Sequence, residues 1–252
     1  MTGQPKALDL PPRARAALAV FAHPDDETFG LGAVLSALVD AGTAVEGLCF
    51  TRGEASTLRA RPDNSDQLGA LGDLGAVRAG ELADAAGVLG MDHCELLTYP
   101  DGRLAESPVA VVAAHALTAA QRQRAELLVV FDHGGITGHP DHQHATRAAV
   151  AAAARLDIGV LAWAVPEPVA AALNTELGTD FRGRPAAEID FTIAVDRGRQ
   201  RRAIACHRSQ STDNPVLRRR LQLTGPTESL RWLRRPGDPG DRQGPGESGQ
   251  RR

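Results

Sequence analysis

Ala16-Ala17-Leu18-Ala19-Val20-Phe21-Ala22-His23-Pro24-Asp25-Asp26-Glu27 is the stretch that decides the fold. An apolar run leads straight into an imidazole, a proline and three carboxylates. A short apolar run bounded by a turn signal reads as a buried strand. Strands buried on both faces belong to parallel sheets covered by helices. Pro24 biases His23 toward extended backbone, so His23 belongs to the strand end and not to the helix that follows. Adjacent carboxylates repel and resist joint ionisation unless a cation or a substrate uses them. The acidic turn therefore marks a strand end, the place where open α/β sheets build their sites.

The same grammar repeats downstream. Residues 30–41 read as a helix ended by Gly42, 44–51 as a strand, and 52–72 as a polar loop or lid. A helix over 74–89 carries Val77, Leu82, Ala85 and Leu89 on one face and stops at Gly90. A strand over 94–99 closes at Pro100-Asp101-Gly102, a turn signal. A helix over 108–124, a strand over 126–131, a loop over 132–140 and an Ala-rich helix over 141–155 follow. Further strands are expected at 159–165 and 188–195, and a helix at 199–207. Such alternation predicts an α/β fold, Rossmann-like, with a mostly parallel sheet and helices on both faces. Residues 1–12 read as a loose lead-in and 13–235 as a single domain. Residues 236–252 hold no apolar side chain and read as a disordered tail.

Composition narrows the function classes. Apolar residues make up 42% of the 252, but aromatics only 4%, so Ala, Val and Leu build the core. No apolar run approaches the roughly 18 residues of a membrane span, which excludes a membrane partner. The short apolar stretch after Arg13 and Arg15 lacks a small-residue cleavage site, so a cytoplasmic location is expected. Cys49, Cys94 and Cys206 are odd in number and widely spaced, the pattern of free thiols. The net charge of −3 conceals an asymmetry. Residues 197–252 hold 14 basic and 5 acidic side chains, net +9, against net −12 for the rest. With no nucleic-acid module or interleaved aromatics, the basic segment reads as solvated surface and no nucleic-acid partner is expected.

A second cluster follows the strand at 126–131: Asp132-His133-Gly134-Gly135-Ile136-Thr137-Gly138-His139-Pro140-Asp141-His142-Gln143-His144. In a parallel sheet all strand C-termini share one edge, so topology brings the two clusters together. His23 and Asp26 can turn toward one point, and His142 completes a set of two histidines and one carboxylate. Three protein ligands and an open position describe a catalytic divalent site, most often zinc, with iron(II) fitting the same donors. Such a site makes water a competent nucleophile near neutral pH. Asp25, beside a ligand, is placed to take the water's proton and return it to a leaving amine. His139 is placed to donate to a developing oxyanion. His133, before a Gly-Gly turn, is a candidate substrate contact. His144 is a rival to His142, two residues away on another face of the helix.

These motifs resemble the PIG-L/LmbE-like family of zinc-dependent N-acetylglucosaminyl deacetylases. The resemblance rests on Ala22-His23-Pro24-Asp25-Asp26-Glu27 with Gly138-His139-Pro140-Asp141-His142. Thr51-Arg52-Gly53-Glu54, the Arg78 to Glu81 spacing, Pro100-Asp101-Gly102 and His207-Arg208-Ser209-Gln210 add to it. It implies a Rossmann-like fold and a metal, Zn2+ or Fe2+, held by His23, Asp26 and His142. Asp25 is then the general base, His139 the oxyanion partner and Asp141 the acid that orients a neighbouring histidine. Arg78, with Glu54, Asp101 and His133, falls among the substrate contacts. The implied reaction is hydrolysis of the acetamide of an amino-sugar conjugate, releasing acetate and a free amine. An amidase on thiol S-conjugates is an alternative within the family, and the resemblance also brings a homo-oligomer into view. From other classes, a non-haem iron oxygenase shares the ligand set, and a binding protein would keep the site without turnover.

Overall fold

The computed structural model describes residues 14–57 and 73–238. The expected lead-in, most of the 52–72 loop and all but the first residues of the 236–252 tail lie outside these. Eight strands form one sheet: β1 (Ala16–Phe21), β2 (Ala44–Thr51), β3 (His93–Tyr99), β4 (Leu127–Phe131), β5 (Gly159–Pro166), β6 (Gly183–Arg184), β7 (Phe191–Ala194) and β8 (Thr227–Arg234). Their order is β3-β2-β1-β4-β5-β8-β7, with β6 beside β5. From β3 to β5 all neighbours are parallel, with Phe21 opposite Cys49 and Ala19 opposite Val129. β8 then runs antiparallel to both β5 and β7. The strand order reverses between β1 and β4, the switch point where doubly wound sheets open a crevice.

The helices are α1 (Asp26–Phe29), α2 (Gly32–Asp40), α3 (Leu74–Leu89), α4 (Val109–Gln123), α5 (Pro140–Leu156), α6 (Glu167–Leu177), α7 (Gly198–Ile204), α8 (Arg208–Ser211) and α9 (Pro215–Thr224). Alternate residues of β1 feed two cores, one on each face. Ala17, Ala19 and Phe21 join Leu31, Leu35, Leu82 and Leu89 from α2 and α3. Leu18 and Val20 join Val112 and the alanines of α4 and α5. With alanine as the contact residue, α5 lies close against the sheet.

Local chemistry sets several boundaries. Asp73 caps α3 by accepting the N–H groups of Gly75 at 2.9 Å and Ala76 at 3.3 Å. Gly90, at φ 81°, ends it in the left-handed conformation. The expected helix over 30–41 is α2, Gly32–Asp40, and the turn at Pro24 adds the short α1 before it. The loop at 132–140 contains a short helical turn at Gly135–Gly138. The segment 166–185 holds α6, and 208–234 holds α8, α9 and β8, none of which the sequence pattern announces. Cys49, Cys94 and Cys206 are free thiols. Among the described residues no helix is long and apolar enough to cross a membrane.

Candidate active site

The turn after β1 and the loop after β4 meet at the switch point. Asp26 uses its Oδ2 to accept the N–H groups of Ala22 at 3.1 Å and His23 at 2.9 Å. Its Oδ1 lies 3.2 Å from His142 Nε2. His142 Nδ1 is 3.1 Å from the carbonyl oxygen of Gly135, which only accepts, so Nδ1 carries the proton and Nε2 the lone pair. His23 Nε2 faces carboxylate oxygens of Asp101 at 3.0 Å and Asp141 at 3.4 Å, so it too donates. That leaves His23 Nδ1 pointing at His142 Nε2 across 3.0 Å. Two facing lone pairs beside a carboxylate repel unless a proton or a cation stands between them. The donors His23 Nδ1, His142 Nε2 and Asp26 Oδ1 therefore fit a divalent ion by chemistry. Their spacing is close to the roughly 3.3 Å expected of two ligands on one tetrahedral zinc.

The electrostatics agree. Burial alone would lower the His23 pKa, but the hydrogen-bonded Asp101 and Asp141 and the charge of Asp26 carry it up to about 10. Burial would raise Asp26, yet His142, His23 and the His23 amide hold it well below the usual carboxylate range. Burial pushes Asp25 up to about 6, with Arg78 pulling against it. His139 lowers, first through burial and then through the neighbouring histidines. Its Nδ1 accepts the Asp141 N–H at 3.2 Å, so its proton sits on Nε2. The His139 ring lies 4.8 Å from both His23 and His142.

Other expected residues fall at varied distances from this centre. Arg78 is buried, 3.1 Å from the Asp25 carboxylate, and donates to the carbonyls of Gly53 and Pro24. A Cβ on Gly53 would collide with the Arg78 guanidinium, so only glycine fits there. The Asp141 carboxylate is wholly buried and accepts the N–H groups of Gly102 and Leu104 behind His23. It reaches His23, while the adjacent His139 is held by the Asp141 backbone. Asp101 accepts the Ala55 N–H and lines the cavity, and Glu54 accepts the Asp101 N–H from outside it. His133 is exposed and does not line the cavity. The rival His144 is buried on another face of α5, toward Arg147.

The cavity measures about 580 Å³. His23, Asp25, Asp26, Arg78, His139 and His142 line its polar end. Phe29, Phe131, Trp163, Phe181, Val216 and Leu217 line an apolar wall. Phe131 packs against His142 at 5.1 Å and Trp163 at 5.5 Å, and only Gly30 leaves room for its ring. Arg220 stacks on Trp163 at 5.0 Å. No periodic signal in the sequence separates Phe131 and Trp163 from ordinary strand core. The loop opposite is strained: Ile136, a β-branched residue, sits at φ 65° and ψ −70°.

Among the described residues the groups close enough to hold an ion are His23, His139 and His142, and His23, Asp101 and Asp141; Asp26, the expected carboxylate ligand, is in neither and joins them through His142 at 3.2 Å. A family model described as GlcNAc-PI de-N-acetylase, PIG-L, matches residues 18–153, just over half of the chain. The chain belongs to the PIG-L family. The 1D-myo-inositol 2-acetamido-2-deoxy-alpha-D-glucopyranoside deacetylase of Saccharomonospora viridis is 32% identical over 233 residues, covering 79% of this chain and 86% of that protein. The protein of the same description from Kineococcus radiotolerans is 32% identical over 238 residues, covering 75% of this chain. The chain spans only 63% of that relative's length. Among solved structures, N,N'-diacetylchitobiose deacetylase from Pyrococcus horikoshii superposes with a TM-score of 0.62 at 21% identity. That match covers 89% of this chain and 87% of the other and shows a shared fold.

Proposed function

We propose that this PIG-L protein is a metal-dependent deacetylase that hydrolyses the acetamide of a small N-acetylglucosaminyl conjugate. The observation that carries this reading is the convergence of His23 Nδ1, His142 Nε2 and Asp26 Oδ1 beside Asp25. The inositol-linked substrates in the relatives' names support the same amide chemistry. In this reading His23, Asp26 and His142 hold zinc, with iron(II) an acceptable substitute. The bound ion would polarise the amide carbonyl and make water acidic enough to attack near neutral pH. Asp25 takes the proton of the attacking water and later gives it to the leaving amine. His139 donates from Nε2 to the oxygen that becomes negative. Arg78 keeps the Asp25 carboxylate oriented, and Asp101 and Asp141 fix the His23 ring. Residues 13–235 form one catalytic domain in this proposal.

A second reading, an amidase on a conjugate bearing an apolar substituent such as a thiol S-conjugate, is favoured by the wall. Four of the chain's nine aromatic residues line this one cavity. Both readings are tested by mass spectrometry of acetate and amine release across N-acetylglucosaminyl conjugates with polar and apolar aglycones, with metal content measured on the same sample. Acetate release with about one metal per chain is expected. A metal-loaded protein inert on every amide would overturn both.

A further inference from the structure

Asp25 adopts φ 118° and ψ −25°, a conformation that strains a residue with a Cβ. Its surroundings must hold it there. Its carbonyl oxygen accepts the Phe29 N–H at 2.7 Å and the Thr28 hydroxyl at 2.9 Å. Arg78 grips its carboxylate and the Pro24 carbonyl. The remaining backbone group, the Asp25 N–H, donates to Glu27 Oε2 at 2.9 Å.

Glu27 is wholly buried, and its other oxygen hydrogen-bonds His207 Nε2, a side chain equally buried. Neither residue lines the cavity. His207 begins the turn into α8, where Ser209 donates from N–H at 2.8 Å and from Oγ at 2.6 Å to Glu81. Glu81 is one turn beyond Arg78 on α3. Among the described residues His207 Nδ1 has no hydrogen-bond partner, and Glu81 Oε2 stands 3.9 Å away. A buried ion pair is a poor source of stability, because desolvation consumes its Coulomb gain. This one reaches the cavity through the amide of the strained residue and through the Phe29 ring, which packs edge-on against His207 at 6.1 Å.

We propose that Glu27 and His207 are positioning residues that clamp the Asp25 amide and keep its carboxylate aimed into the cavity. The helix α3 then grips Asp25 twice, through Arg78 directly and through Glu81, Ser209, His207 and Glu27 in series. His207 and Ser209 lie outside the family-matched residues 18–153, so the C-terminal segment is part of the proton-transfer apparatus. The inference rests on Asp25 being the proton acceptor of the proposed reaction.

The test compares Glu27→Ala, Glu27→Gln, His207→Gln, Asp25→Ala and Asp25→Ala/Glu27→Ala in the full metal-loaded chain. Glu27→Ala should lower kcat about 10–100-fold, the scale of a 1 Å misplacement. KM should stay within about threefold and metal content near one per chain. Glu27→Gln, whose amide oxygen still accepts the Asp25 N–H, should recover most of kcat. The double variant should be no slower than Asp25→Ala, because Glu27 acts only through Asp25. If Glu27→Ala is too unstable to purify, a kcat loss in His207→Gln with unchanged KM supports the clamp in its place. Parental kcat per folded molecule in Glu27→Ala or His207→Gln, beside an inactive Asp25→Ala, overturns the clamp alone. Parental turnover by Asp25→Ala removes the premise and overturns the function reading with it.

Discussion

The cavity rim and the rest of the sheet handle charge in opposite ways. At the C-terminal rim of β1 and β4, Asp25, Asp26, Asp101 and Asp141 crowd around three histidines. Among the described residues lining that cavity, Arg78 is the one guanidinium. Outside the cavity many carboxylates have arginine partners. Asp132 pairs with Arg184 and Arg231, Glu228 with Arg197, and Asp157 with Arg234. Asp190 pairs with Arg235 and Glu176 with Arg219. Most of those arginines come from the basic C-terminal segment, whose surplus therefore neutralises the acidic body of its own chain. The carboxylates it leaves alone mark where a foreign cation fits.

Replacing ligands at the rim should give the largest effect. Asp26→Ala or His142→Ala should cost several kcal/mol of transition-state stabilisation, on the order of a thousandfold in kcat/KM. Metal content should drop far below one per chain while the melting temperature stays within a few degrees. A fully metallated, active Asp26→Ala protein would break the contrast between the rim and the rest of the sheet. Glu228→Ala should do the reverse. It strands buried Arg197 and removes the acceptor of the Trp163 indole N–H, 2.7 Å away. Denaturant unfolding should show about 3–5 kcal/mol of lost stability, with less than a tenfold change in turnover per folded molecule.

Smaller effects sharpen the same line. His23 titrates near 10 without metal, so at pH 7.5 it is protonated and must lose that proton to become a ligand. Calorimetry in buffers of different ionisation enthalpy should find about one proton released per ion. Apparent affinity should rise with pH by close to a factor of ten per unit from pH 7 to 9. Zero protons released would show that His23 binds no metal. The smallest effect belongs to Arg219→Ala. Its pair with Glu176 is more than a third exposed on both sides, so solvent screening should leave the melting temperature nearly unchanged.

The parallel half was legible because its signals are local. The β2 strand and the α3 helix match their sequence boundaries, since Asp73 and Gly90 cap the helix and Ala44 follows a glycine turn. His23 and His142 were recognisable because strand ends of a parallel sheet share one edge. In the antiparallel half β7 and α7 were expected, but β8 was not, for the opposite reason. In β8, Glu228, Arg231 and Arg234 read as solvent-exposed, and only partners 31 to 99 residues away make them tolerable in a sheet. The aromatic wall escaped notice because a buried Phe at the end of a strand looks alike whether it faces core or cavity. Glu27 and His207 are 180 residues apart, and no spacing rule relates them.

The placement of β8 beside β5 has a consequence for how the protein is made. The candidate metal donors are all synthesised by residue 142. About 60 further residues must leave the ribosome between the end of β5 and the start of β8, roughly 3–12 s at ordinary translation rates. At the start of that interval the nascent chain already carries its acidic rim, while Arg197 and the arginines after it are still to be made. A free divalent ion then meets an electronegative crevice before the Asp25 clamp has arrived. The candidate donors are thus all made before His207, whose arrival would complete the proposed clamp.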